Sequence, residues 1–181
     1  LPAKGKIGVF NRTHYENVLI TKVHPGFILN ENIPGIDDLN DVNEDFWANR
    51  FESINNFEKH LASNGVIIMK FFLHLSKEEQ RQRLLRRLET EKHNWKFSPG
   101  DLAERELWNE YQNCYEDILN KTSKDHAPWF IVPADNKETA RYIVAKTILD
   151  ALNKYQFHYP ELVQEIQDNI KMYHDKLSSE K

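Results

Sequence analysis

The sequence predicts an α/β domain built on a parallel sheet flanked by helices, and three observations carry that prediction. Short apolar runs alternate with longer segments of helical periodicity, the pattern of β-α-β units. The clearest run, Val66-Ile67-Ile68-Met69-Lys70-Phe71-Phe72-Leu73, is nearly all apolar, as a strand buried on both faces is. The chain has 181 residues, 40% of them hydrophobic. One domain takes roughly 150 residues, and a chain of this size buries ~70% of its unfolded surface without needing a disulfide or structural metal.

The elements follow in order. Ile7-Gly8-Val9-Phe10 reads as a short buried strand, bounded by Lys4-Gly5-Lys6 and by the polar cluster Asn11-Arg12-Thr13-His14-Tyr15-Glu16. Residues 25–38 hold Pro25, Gly26, Pro34 and Gly35 and read as a loop. From Asn43 to Ser63, Phe46, Trp47, Phe51, Ile54, Phe57 and Leu61 recur at helical spacing, and Asn64-Gly65 ends that helix. After the strand 66–73, Ser76-Lys77-Glu78-Glu79 has the capping-box spacing and opens a helix to Leu88. Asp101 opens a further helix, with Trp108, Tyr111, Tyr115, Ile118 and Leu119 along one face. Trp129 to Val132 is a third strand before Pro133. Lys137 to Tyr155 is a helix, and Glu161 to Leu177 a last, mostly polar one.

Composition excludes several classes. One cysteine, Cys114, can form neither an internal bridge nor a zinc ring, which points to a reducing, cytoplasmic setting. Cys114 itself reads as a packed thiol. No apolar run approaches the ~20 residues of a membrane helix, so no membrane partner is expected. With 24 basic against 28 acidic side chains, the net charge of −4 argues against nucleic-acid binding. His93, His126, His158 and His174 lack metal-ligand spacing.

Two segments carry candidate chemistry. On the helix after Ser76, Leu84, Leu85 and Leu88 share one side, while Arg83, Arg86 and Arg87 share the other. Between Gln80 and Lys96 stand six basic residues, including Lys92 and Lys96, against two acidic ones. Guanidinium forks suit phosphate oxygens. A solvated helix face paired with Glu78, Glu79, Glu89 and Glu91 fits the same pattern, and both readings stay open on pattern alone. The second segment is Asn11 to Glu16. Open parallel sheets bind ligands beyond the carboxyl ends of their strands, where such polar clusters sit. An ordinary polar turn is the alternative there. No G-x-x-x-x-G-K-[ST] loop occurs among these residues, and Gly5-Lys6 precedes a strand instead of opening a helix.

Several motifs in register resemble one family. They are Gly5 to Glu16, Leu61 to Leu73, Trp95-Lys96-Phe97-Ser98-Pro99-Gly100-Asp101-Leu102, Ala127-Pro128-Trp129 and Pro133-Ala134-Asp135. The chain resembles polyphosphate kinase family 2, its Asn11-Arg12 pair being nearest the class III branch. The resemblance implies a P-loop kinase-like fold similar to thymidylate kinase, with a helical lid at about 76–100. It implies Mg²⁺-dependent phosphoryl transfer between inorganic polyphosphate and nucleoside mono- and diphosphates (AMP/ADP, GMP/GDP), in a dimer or tetramer. Carried across, Asn11 and Arg12 match the Walker B position, with Glu16 a helper, and Asn11 and Glu16 would meet the metal through water. Asn11 replaces the aspartate of many members. Gln80, Arg83 and Arg87 match the lid, and Trp95 and Lys96 the segment after it. Arg83, Arg86, Arg87, Lys92 and Lys96 are the expected phosphate-binding set.

The resemblance further implies that a Walker A loop would lie before Leu1, so the chain resembles the C-terminal two thirds of such an enzyme and is expected to be inactive alone. Residues 1–155 are expected to form the partial α/β domain, and 156–181 a C-terminal helical extension. Two alternatives are an ATP-dependent nucleoside monophosphate kinase relative and a non-catalytic interaction module derived from the family.

Overall fold

Five strand residues on each side make the sheet. In the computed structural model, which describes residues 1–155 and 157–180, strand β1 (Lys70–His74) pairs in parallel with β2 (Trp129–Pro133), Lys70 opposite Trp129 and His74 opposite Pro133. Helices α1 (His14–Val23), α2 (Glu44–Ser63), α3 (Lys77–Glu89), α4 (Gly100–Glu106), α5 (Trp108–Thr122), α6 (Lys137–Leu152) and α7 (Gln164–Ser178) complete the regular structure, with 3₁₀ turns at Pro25–Glu31 and Glu91–Lys96. The chain divides into compact units Leu1–Ala145 and Lys146–Lys181, a boundary ten residues before the one expected at 155/156.

Local chemistry sets these limits. Asn43 caps α2, its side chain accepting from Phe46 N at 3.0 Å, and Gly65 takes the left-handed conformation (φ 84°) just past its end. β1 begins only at Lys70 because its partner is short. Pro128 has no N–H to extend the ladder, and its carbonyl accepts from Lys70 N at 3.1 Å. Val66 to Met69 lead into the strand without pairing. The expected helix from Asp101 is two helices, broken at Leu107. The expected loop 25–38 includes a 3₁₀ turn that buries Ile28 completely.

Ile7 to Phe10 corrects the strand reading. The segment has no strand assignment, and Ile7, Val9 and Phe10 are exposed, Val9 at 90%. A strand needs a neighbour for its backbone groups, and among the described residues β1 and β2 pair only with each other. The sheet's expected covering is partial for the same reason: Leu73 and Ile131 stay exposed.

The core lies where α1, α2 and α5 meet the sheet. Val18, Ile28, Phe51 and Ile118 are buried there, as is Cys114, whose thiol burial pushes up. One polar cluster passes through this core. Lys70, counted above within an apolar strand, donates to Glu58 Oε2 at 2.6 Å, to Tyr15 Oη at 2.9 Å and to the Thr122 carbonyl at 2.9 Å. Tyr15 in turn donates to Glu58 Oε1 at 2.8 Å. Glu58 is 2% exposed and Lys70 8%. All three ammonium hydrogens are used, so α1, α2, β1 and α5 are joined through a satisfied charge pair. Burial alone would raise the Glu58 carboxyl, but hydrogen bonds from His14, Lys70 and Tyr15 outweigh it and hold the group below its ordinary value.

Removing one partner leaves the other charge buried and unpaired. Lys70→Met is therefore expected to cost about 3–5 kcal/mol in urea denaturation, and Glu58→Leu added to it to restore most of that loss. The depressed Glu58 group contributes stability above the ordinary carboxylate range and loses it as pH falls through the folded value. Stability is expected to drop between about pH 5 and 3, and Glu58→Gln to flatten that drop.

Candidate functional site

The polar cluster after Phe10 is ordered by helix α1. Thr13 caps the helix, its hydroxyl accepting from Tyr15 N at 3.3 Å. Arg12 stands just outside in the left-handed region, at φ 74°, a conformation costly for a residue with a Cβ. What holds it there is Glu16, in the first turn of α1. Arg12 Nε donates to the two carboxylate oxygens of Glu16 at 2.9 and 2.7 Å, and Arg12 Nη2 also bonds to Oε1. Those hydrogen bonds hold Glu16 below its ordinary value and raise Arg12. Burial, followed by the Glu16 charge, raises the Tyr115 hydroxyl on α5. Asn11 is exposed beside them.

This set does not fit a magnesium ion as it stands. Both oxygens of its one carboxylate are committed to Arg12, and Asn11 adds only a neutral amide. Among the described residues no group of three or more His, Cys, Asp or Glu side chains could hold a metal. The hollow beside Arg12 is lined by Glu16 and Glu31 as well, which makes it a poor seat for an anion.

The second candidate, α3, starts at the carboxyl end of the sheet. Ser76 caps it as the sequence indicates, its hydroxyl accepting from Glu79 N at 3.0 Å. The reciprocal half of the capping box is absent. Ser76 N donates instead to Asp135 Oδ1 at 2.8 Å, just beyond β2. Hydrogen bonds from Ser76 hold the Asp135 carboxyl below its ordinary value. Glu79 is thereby released to face the arginines.

Glu79 Oε1 accepts from Arg83 Nε at 2.8 Å and from Arg86 Nη2 at 2.9 Å. These bonds, Arg83 first, lower the Glu79 carboxyl. Arg83 also reaches across to β2's end, Nη2 donating to the carbonyls of Ala134 at 2.7 Å and Asp135 at 3.3 Å. Arg87 Nη1 lies 3.5 Å from Asp101 Oδ2, at the start of α4. Arg105 on α4 donates to the Lys77 carbonyl at 2.8 Å and to Gln80 Oε1 at 2.7 Å, bracing the first turn of α3. Arg81, off this face, pairs with Glu78, whose carboxyl falls to about 2 through bonds from Arg81 and Gln82. Lys92 is exposed, and Lys96 Nζ sits 5.0 Å from the centre of the exposed Trp95 ring.

The structure thus brings together Arg83 and Arg86 at one carboxylate oxygen, Arg87 with Asp101, and Arg12 with Glu16. Among the described residues no hydrogen bond or ion pair links the Asn11–Glu16 group to α3. Asp135 and Arg105 brace the first turn of α3, and sequence reasoning did not single them out. Asp135 lies in a quoted motif directly after a strand, which is a usable signal; nothing local marks Arg105.

Known proteins resemble this chain over most of its length. The profile of the family described as Polyphosphate kinase 2 matches residues 1–160. An ADP-polyphosphate phosphotransferase from Rhodopseudomonas palustris is 48% identical over 161 residues, covering 89% of this chain and 55% of its own length. An AMP/ADP-polyphosphate phosphotransferase from Meiothermus ruber is 38% identical over the same shares. The crystal structure of polyphosphate kinase 2 from Arthrobacter aurescens superposes with a TM-score of 0.78 at 37% identity, over 95% of this chain and 56% of that one. The chain spans about half the length of these relatives.

The position between Arg83 and Arg86 invites a direct test. If Glu79 holds the place of an external anion, Glu79→Gln is expected to tighten tripolyphosphate binding about fivefold in low-salt calorimetry, the worth of one exposed charge. Unchanged affinity would show that the arginines serve only the helix.

Proposed function

Since the chain belongs to the polyphosphate kinase 2 family, we propose that the complete protein moves a phosphoryl group between inorganic polyphosphate and nucleoside mono- and diphosphates, AMP/ADP and GMP/GDP among them. The observation that carries this reading is the pair Arg83 and Arg86 of α3 gathered on one Glu79 oxygen beyond the carboxyl ends of two parallel strands. Ligands of open α/β sheets bind at that end. A carboxylate oxygen held by two guanidinium forks occupies the position that a phosphate oxygen would take.

In this reading Arg83, Arg86 and Arg87 hold the phosphate chain, with Lys92 and Lys96 adding charge along it. Glu79 and Asp101 are resident counter-ions that the chain displaces. Ion pairs on a helix surface contribute little, so displacement by a polyanion is favourable. Arg83 has a second duty, because its bonds to Ala134 and Asp135 fix α3 on the strand end. Arg12 supplies a further cation at the Walker B position once it leaves Glu16. Magnesium would arrive as an ion carried by the phosphates, since these side chains do not fit it unaided. Mg²⁺ is commonly held in that way, by substrate phosphates with one or two carboxylates.

The single buried cysteine supports a reducing, cytoplasmic setting. Among the described residues no helix is long and apolar enough to cross a membrane. A homo-oligomer is part of the same reading.

No G-x-x-x-x-G-K-[ST] loop occurs in the 181 residues, and backbone amides of such a loop supply much of the oriented field on phosphates. The isolated chain is expected to transfer no phosphoryl group between polyphosphate and ADP, and robust turnover by purified material would contradict this. In the complete protein, Arg87→Ala is expected to lower kcat/KM for polyphosphate by at least about 2 kcal/mol, the scale of a lost charge-assisted contact. Arg87→Lys should restore only part, since a point charge does not replace a planar fork. Arg83→Ala should lower both activity and thermal stability, and Lys154→Ala, on a surface turn, neither. Equal rates for the arginine and Lys154 variants would overturn the reading.

A further inference from the structure

Helix α4 follows the arginine helix in the chain, and two of its adjacent side chains reach different neighbours. Successive residues of a helix project about 100° apart. Arg105 reaches α3, where it bonds the Lys77 carbonyl and Gln80. Glu104 faces α1 and α5 instead. Its Oε2 accepts from His24 Nε2 at 3.0 Å and from Tyr111 Oη at 2.5 Å. Bonds from His24 first and Tyr111 next hold the Glu104 carboxyl below its ordinary value, so it accepts both as a carboxylate. Burial, and after it the bond to Glu104, raises the Tyr111 hydroxyl, which keeps its proton to donate.

Both donors are themselves fixed. His24 ends α1, its N–H donating to the Ile20 carbonyl at 2.8 Å while its own carbonyl accepts from Phe27 N at 3.0 Å. Tyr111 lies in the first turn of α5, its N–H donating to the Leu107 carbonyl at 3.0 Å. The junction adds little stability, because the His24 and Glu104 side chains are 30% and 49% exposed and a pair so placed is weak. What it fixes is the place of α4. Asp101, one turn before Arg105 on the same helix, pairs with Arg87. Arg83 and Arg86 are held separately, at Glu79 and the strand end. The place of α4 therefore sets where Arg87 stands relative to the other two.

We propose that Glu104, gripped by His24 and Tyr111, is a positioning residue for polyphosphate binding: it places α4 and, through Asp101, brings Arg87 into line with Arg83 and Arg86. That role rests on the reading of these arginines as phosphate ligands. Glu104 acts in it through the arginines and not on the phosphate itself.

The sign of one substitution tests this. As a bystander, an acidic group on the helix that meets the arginines repels a polyanion, and its removal would tighten binding. As a positioning residue, its removal weakens binding. In low-salt calorimetry of the 181-residue chain with tripolyphosphate, Glu104→Ala is expected to weaken binding about fivefold, the worth of one net hydrogen bond, with little change in thermal stability. Glu104→Gln keeps an acceptor oxygen and is expected to recover most of that loss. Tyr111→Phe removes one hydroxyl and no charge, and is expected to weaken binding about threefold. In an Arg87→Ala background, Glu104→Ala is expected to add nothing, since residues that act through one another are not additive. Unchanged or tighter binding by Glu104→Ala overturns the proposal and leaves the phosphate reading standing, as does an undiminished loss in the Arg87→Ala background. A wild-type chain that binds no tripolyphosphate, or binds it equally well with Arg87→Ala, overturns the phosphate reading and the positioning role with it. If Glu104→Ala loses its helical circular dichroism signal, Tyr111→Phe decides by the same outcomes.

Discussion

A lysine ammonium buried among four elements is the constraint on which the domain's geometry turns. Lys70 stands at the first paired position of β1, and its three hydrogens go to α1, α2 and α5. Apolar contacts are non-directional and would allow α1 to slide along the core. The Lys70–Glu58–Tyr15 bonds fix Tyr15, and Tyr15 lies in the first turn of α1, three residues after Arg12. The rings of Tyr15 and Trp129 lie 5.0 and 5.2 Å from the ammonium and shield it from water. So the register of the strand pair and the position of the Asn11–Glu16 segment depend on one charge. Such a pair adds little net stability over an apolar substitute. In this chain it provides position.

Sequence patterning captured the elements whose partners are local. The α2 boundaries, the Ser76 cap and the α3 arginine face all depend on side chains within one or two helical turns, and each appears where the residues indicate. The misses share a cause. Ile7 to Phe10 has strand composition, but a strand is a relation between two segments, and no described segment pairs with it. Lys70 stands unmarked within an apolar run because its partner, Glu58, sits on the preceding helix, 12 residues away. Asp135 lies 59 residues from Ser76, whose N–H it accepts. No local period encodes contacts of that separation.

The candidate site divides along the same line. That Arg83, Arg86 and Arg87 share a face follows from 100° per residue. What they face does not follow. Like charges so close need an anion between them, and pattern alone left solvent, acidic side chains and phosphate open. The structure answers with acidic side chains, Glu79 for two of the arginines and Asp101 for the third. This is neither the empty cationic face of a ready phosphate site nor a helix surface paired at random with its neighbours.

The pairing has a consequence for how such a face could work. Three guanidinium groups left bare at the end of a sheet would repel one another and take up whatever anion was at hand. Glu79 and Asp101 prevent both, at the small cost that an exposed pair imposes on a stronger competitor. Glu79 is free to do so only because Asp135 has taken over the Ser76 N–H that a reciprocal capping box would have assigned to it. Arg83 completes the circuit by bonding the carbonyls of Ala134 and Asp135, so the residue that frees the counter-ion is tied to an arginine the counter-ion holds. In the proposed reading, exchange of Glu79 for a phosphate oxygen leaves the helix where it is, since the brace from Arg83 to the strand end does not pass through Glu79. Arg83 thus holds the helix to the strand end with one nitrogen and the Glu79 carboxylate with another.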